Sequence, residues 1–131
     1  MKQHAPVPER AEHAARVVVD AAFRVHSALG PGLLESVYEA CLAHELRRQG
    51  VPYVAQQVLP VVYDGLRLDA GLRIDLLVDE SIVVELKAVE KILAIHEAQL
   101  LTYMKLADKR LGLLVNFNVS LIRDGIKRMV L

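Results

Sequence analysis

Leu72-Arg73-Ile74-Asp75-Leu76-Leu77-Val78-Asp79-Glu80-Ser81-Ile82-Val83-Val84-Glu85-Leu86-Lys87-Ala88 consists of two β-rich runs on either side of three turn-forming residues. Side chains alternate across a strand, so Leu72, Ile74, Leu76 and Val78 share one face while Arg73, Asp75 and Leu77 share the other. Ile82, Val84, Leu86 and Ala88 form the matching apolar face of the second run. Burying both apolar sets together requires Val78 to pair with Ile82, which leaves Asp79-Glu80-Ser81 as a hairpin loop. Asp75 then falls opposite Glu85, and Lys87 lies on the same face opposite Arg73. A slip by two residues keeps the faces and offsets the acids, so the pattern specifies the shared face more firmly than the direct pairing.

Upstream of the hairpin, Glu9 to Leu29 places Ala14, Val17, Val18, Ala21, Ala22, Val25 and Leu29 at helical spacing. Gly30-Pro31-Gly32 breaks that helix, and Leu33 to Gln49 resumes the period through Leu34, Val37, Tyr38, Cys41, Leu42 and Leu46, with Gly50 closing it. The period then switches to short β-rich runs, the first over Tyr53 to Tyr63 and closed by Asp64-Gly65. Pro60 has no amide hydrogen, which sends this strand to a sheet edge or interrupts it with a bulge. Strands are expected over Arg67 to Val78 and Ile82 to Val89, both central, then a helix from Ile95 to Asp108 and a buried strand over Leu111 to Phe117. Asp124-Gly125 marks a last turn. The predicted order of helix, helix, three strands, helix and strand is an α/β or α+β arrangement around a mixed sheet. One domain over residues 9–131 follows a flexible arm at residues 1–8.

The chain has 131 residues, with 16 Lys plus Arg against 16 Asp plus Glu, which excludes a polyanion binder working through bulk charge. Hydrophobic residues make up 53% and charged ones 24%, enough to close a core and too little charge bias for a disordered tail. A single cysteine, Cys41, excludes an internal disulfide and a Cys-rich zinc site and fits a reducing compartment. Met1 to Pro8 has no apolar core and no apolar run is long enough to cross a bilayer, so a cytoplasmic protein without membrane attachment is expected.

Two carboxylates about 5 Å apart on a sheet repel unless a cation or a proton lies between them. Hard oxygen ligands suit Mg²⁺ or Mn²⁺, which keep several waters and are commonly held by one or two carboxylates together with substrate phosphate. A lysine beside such an ion orients or deprotonates an attacking water and meets negative charge on a phosphate. The same spacing also arises when charged side chains line a solvated face as cross-strand ion pairs. Spacing alone leaves both readings open.

Gly32-Leu33-Leu34-Glu35-Ser36-Val37-Tyr38 resembles the motif that names the GxxExxY protein family. Asp75 followed by Glu85-Leu86-Lys87 resembles the signature of the PD-(D/E)XK nuclease superfamily to which that family is assigned, and Gln99-Leu100-Leu101-Thr102-Tyr103 resembles the Q-x-x-x-Y element of its RecB-type exonuclease branch. The four elements occur in order, and the resemblance runs from about Ala11 to the C-terminus. It implies a restriction-endonuclease-like core, a central mixed sheet flanked by helices. It further implies that Asp75 and Glu85 ligate the metal with the Leu86 carbonyl as a further ligand, that Lys87 serves the water, and that Glu35 approaches as another ligand or water-orienting acid. Gln99 and Tyr103 would position the nucleic-acid backbone.

Tyr38 lies one turn after Glu35, as a support for its carboxylate or as a core aromatic. His96, three residues before Gln99, either reaches phosphate or caps its helix. Segment charges are 0 over residues 1–49, −4 over 50–104 and +4 over 105–131, so an acidic centre precedes a basic end. In that end, Lys105, Lys109, Arg110, Arg123, Lys127 and Arg128 are available to grip phosphates. Aromatic residues total 5%, which favours backbone contacts over base stacking. The function expected is divalent-metal-dependent hydrolysis of phosphodiesters in DNA or RNA, with a homodimer or a protein partner supplying reach. The alternative is a non-catalytic nucleic-acid- or protein-binding module that keeps the nuclease fold.

Overall fold

Residues 5–131 are described by a computed structural model. The expected arm lies partly outside the described residues, and of its remainder Val7 packs on the core. The first helix, α1, spans Glu9–Leu29 and buries Ala11, Ala14, Ala15, Val18, Ala21, Ala22 and Val25, the face its apolar spacing marks. It stops at Gly30, whose left-handed φ of 71° a side chain would disfavour. The second, α2, spans Glu35–Arg48 and buries Tyr38, Leu42, Ala43 and Leu46.

The strands are β1 (Tyr53–Val58), β2 (Val61–Tyr63), β3 (Leu66–Leu68), β4 (Arg73–Val78), β5 (Ile82–Lys87), β6 (Leu111–Asn116) and β7 (Ile126–Val130), with helix α3 (Ala94–Ala107) between β5 and β6. Five of them form a mixed sheet in the order β1-β4-β5-β6-β7, in which only β5 and β6 run parallel, joined by the α3 crossover. On one face α1 and α2 cover Leu76, Val78, Ile82, Val84, Leu86, Leu111, Leu113 and Val115. On the other, Leu100, Tyr103 and Met104 of α3 pack on Ile74, Val83 and Leu114. The mixed sheet flanked by helices is the expected restriction-endonuclease-like architecture, and the hairpin register is the expected one: Val78↔Ile82, Leu77↔Val83, Leu76↔Val84.

Five expectations need correction. The run Tyr53 to Tyr63 is two strands, because Leu59-Pro60 interrupts it as the missing amide requires; β1 stays on the sheet edge while β2 pairs with β3 in a separate ribbon. The run Arg67 to Val78 is likewise two strands, parted at residues 69–72. The final strand β7 was not expected; its Lys127 and Arg128 interrupt the apolar signal, and it closes the second edge of the sheet. The alternation of β4 also breaks at Asp75: Leu76 and Val78 face α1 and α2, but Ile74 and Leu72 pack on the α3 side. The backbone ladder between β4 and β5 ends at Leu76↔Val84, so the expected rungs between Asp75 and Glu85 and between Arg73 and Lys87 do not form.

Candidate active site

Where the ladder ends, the Asp75 carboxylate takes over its role. Asp75 Oδ2 accepts the Leu86 N–H at 2.8 Å, replacing the backbone acceptor that a continued strand would have offered. The substitution brings Asp75 into hydrogen-bonding reach of the Glu85 carboxyl. Glu85 is only 6% exposed, and its Oε1 is buried without a hydrogen-bond partner. Burial, followed by the contact with Asp75, pushes the Glu85 carboxyl up to about 9, and the positive charge of Lys87 pulls the other way. A carboxyl so placed keeps its proton at neutral pH until a cation replaces it.

Glu35, in the first turn of α2, lines a pocket of about 150 Å³ together with Ser36, Glu39, Gln56, Asp75 and Leu86. Three acids from α2 and β4 therefore share one concavity, with Glu85 next to Asp75. Among the described residues no three His, Cys, Asp or Glu side chains converge tightly enough to hold an ion by themselves. The tight pair is Asp75 with Glu85, and Glu35 stands at the pocket wall.

Tyr38 does not support Glu35 directly. Its hydroxyl donates to the Gly30 carbonyl at 2.6 Å and accepts the Leu33 N–H at 3.1 Å, and its ring stacks on Phe117 at 4.4 Å between centroids. It ties down the Gly30-Pro31-Gly32 loop, and so sets where α2 and Glu35 begin. His96 is a cap: its Nδ1 accepts the Leu93 N–H at 2.9 Å ahead of α3. Gln99 donates to the Tyr103 hydroxyl at 3.0 Å, and Tyr103 belongs to the α3-side core rather than to the pocket of Glu35.

Half of the basic end is engaged elsewhere. Lys127 pairs with Glu97 at 2.7 Å, Arg128 with Glu12 at 2.6 Å, and Arg110 donates to the carbonyls of Leu131 and Ala5. Lys109 and Arg110 line a pocket with Glu80 and Ser81, beside the hairpin loop and away from Lys87. Two pocket residues escaped the sequence reading. Glu39 is one helical turn after Glu35, which signals a shared face. Gln56 carries no signal until β1 is paired with β4, when it falls opposite Asp75.

A mixed five-stranded sheet with flanking helices, holding an Asp–Glu pair and a Lys at the end of its hairpin ladder, defines a nuclease-like α+β class. The family model described as PD-(D/E)XK nuclease superfamily matches residues 12–129, and the chain belongs to that superfamily. Comparison with curated proteins and with solved structures returned no match.

Proposed function

We propose that this domain is a divalent-metal-dependent nuclease of the GxxExxY type that hydrolyses phosphodiester bonds of DNA or RNA. The observation that carries the reading is the buried, unpartnered Oε1 of Glu85 next to the Asp75 carboxylate. A buried carboxyl oxygen without a partner is costly, and the hard oxygen donors around it fit Mg²⁺ or Mn²⁺. Asp75 and Glu85 would hold the ion. The Leu86 carbonyl lies on the same strand edge as the N–H that Asp75 accepts and fits a third donor. Once bound, the ion supplies Lewis acidity toward the phosphate and a lower pKa for bound water.

The protein's own groups do the rest. Lys87 orients the attacking water through its ammonium group and faces the negative charge that develops on the phosphoryl oxygens. Glu35, at the pocket wall, orients water from the side of α2. Gln99 would position the nucleic-acid backbone from α3, with the buried Tyr103, whose hydroxyl accepts its amide, holding the Gln99 side chain in place. With three basic residues of the C-terminal end already engaged, binding rests on the site's phosphate contacts more than on a broad basic surface.

The test is a Mn²⁺ titration followed by a panel of DNA and RNA substrates with wild type, Asp75→Ala and Lys87→Ala. Expected is metal-dependent cleavage that both substitutions abolish while the fold survives. Absence of cleavage of every DNA and RNA form in Mn²⁺ would overturn the reading. Stable nucleic-acid or protein binding without turnover, unaffected by Lys87→Ala, would identify the non-catalytic module instead.

A further inference from the structure

Gln56 is a non-glycine residue with φ of 54°, in the left-handed region that a Cβ disfavours. It sits between the ladder pairs Ala55↔Leu76 and Gln57↔Ile74, opposite Asp75, at the one rung missing between β1 and β4. Such a backbone persists where the surroundings over-determine it, and clusters of this kind accompany functional sites. Here the turn has a visible product. The Gln56 side-chain amide donates to Glu39 Oε1 at 2.6 Å and also approaches Asp75 Oδ1 at 3.4 Å.

The two oxygens of Asp75 are thereby assigned different tasks. Oδ2 is held by the Leu86 N–H at 2.8 Å, whereas Oδ1 takes the long contact to Gln56, which leaves it the oxygen more open to a cation. Glu39 in turn anchors the amide by the shorter bond. Its own carboxyl is raised by burial and, to a lesser degree, by the charges of Asp75 and Glu35, while the Gln56 hydrogen bond opposes the rise. The α2 carboxylate, the amide of β1 and the β4 carboxylate form a chain in which each member orients the next.

We propose that Glu39 and Gln56 are positioning residues of the metal site, Glu39 holding the Gln56 amide and the amide setting the plane of the Asp75 carboxylate. The inference rests on the metal-site reading above and extends it to two residues outside the family signature. Partners that orient a ligating carboxylate are commonly worth ten- to a hundredfold in metal affinity. Glycine relieves the left-handed backbone at position 56 and removes the amide, so the backbone and the positioning role respond in opposite directions.

The experiment is calorimetric titration of Mn²⁺ into wild type, Gln56→Gly, Glu39→Ala and the double variant, with thermal melts of each metal-free protein. Gln56→Gly is expected to keep or raise the melting temperature and to weaken Mn²⁺ binding about tenfold. The double variant is expected to lose less affinity than the product of the two single losses, because both act through one chain of contacts. Gln56→Asn, which tolerates the left-handed backbone but is one methylene shorter, is expected to melt like wild type and bind like Gln56→Gly. Wild-type affinity in Gln56→Gly and Gln56→Asn, or losses that multiply, would overturn the proposal and leave the metal site standing. No Mn²⁺ binding by wild type would overturn the metal site, and this inference with it.

Discussion

Glu85→Gln removes the titratable proton from the most enclosed ionisable position of the sheet and leaves its shape in place. Burial and Asp75 hold the Glu85 carboxyl at about 9, against an ordinary value of 4.5. The sign follows from proton counting: between those two values the folded chain carries a proton that the unfolded chain has released, so stability falls as pH rises. The contribution is fully present below the ordinary value and is lost as pH climbs to the raised one. At pH 8 the accumulated loss is at most roughly 5 kcal/mol, from about 1.4 kcal/mol per pH unit. Even half of that is ~2.5 kcal/mol, or about 1 M in the urea midpoint for a domain of this size. Glutamine at position 85 does not titrate. Urea unfolding of the two proteins in chelator is therefore expected to give similar midpoints near pH 4.5 and a clear advantage for Glu85→Gln at pH 8. Excess Mn²⁺ should shrink or cancel that advantage, since a ligand at a hundred times its Kd adds about 2.7 kcal/mol to the wild type only. Equal midpoints at pH 8, or an advantage that does not change with pH, would refute the account of Glu85 as a buried acid that keeps its proton.

Tyr38→Phe keeps the stack on Phe117 but removes the hydroxyl from the Gly30 carbonyl and the Leu33 N–H; a loss of about 1–2 kcal/mol in a thermal melt is expected. Gly125→Ala would set a Cβ 2.1 Å from the Asn116 carbonyl oxygen, whereas Gly112→Ala meets the Met104 sulfur at 2.6 Å. The second should cost about 1–3 kcal/mol and the first more, because backbone yields less than a methionine side chain; denaturant midpoints of the two variants check the order. Arg10 clamps the hairpin loop through two 3.0 Å bonds to Asp79 and holds that carboxyl below the usual range, chiefly by the hydrogen bond. Asp79 thus adds stability above the ordinary aspartate midpoint and loses it as pH falls through its lower folded value. Arg10→Ala is expected to lower the urea midpoint slightly at pH 7, by a difference that shrinks as pH falls below the ordinary aspartate midpoint and vanishes below the folded value.

The parts of this structure legible from sequence are those where one physical signal acts alone. Apolar spacing marks the buried face of α1, and two alternating runs with a three-residue loop specify the β4–β5 register down to Val78↔Ile82. The unexpected parts are places where signals compete. Pro60 warned of an interruption, yet that Val61–Tyr63 would leave the sheet and pair with Leu66–Leu68 depended on where the chain turned next. In β7 the charged Lys127 and Arg128 masked a strand whose partners Glu97 and Glu12 come from α3 and α1. The register brought Asp75 to Glu85 for a partly different reason from the one the alternation suggests. Ile74 and Leu76 pack on opposite sides of the sheet, and the acids meet because the Asp75 side chain enters the broken ladder, not because two regular faces coincide.

That broken ladder accounts for why so many local rules fail within one small volume. Elsewhere propensity, alternation and burial agree: β6 is buried along its whole length and α1 buries the face its spacing marks. Around Asp75 a glutamine takes a left-handed backbone, a rung is missing, a carboxylate accepts a strand amide, and a buried acid has an oxygen with no partner. Each departure is unfavourable alone, but all four concern the same two oxygen-bearing side chains and the residues that touch them. Relaxing any one into regular strand would return Asp75 to an ordinary rung and draw it away from Glu85. The irregularity and the paired carboxyls are therefore one feature, and the hard cation of the proposed function would supply a charge that offsets them together.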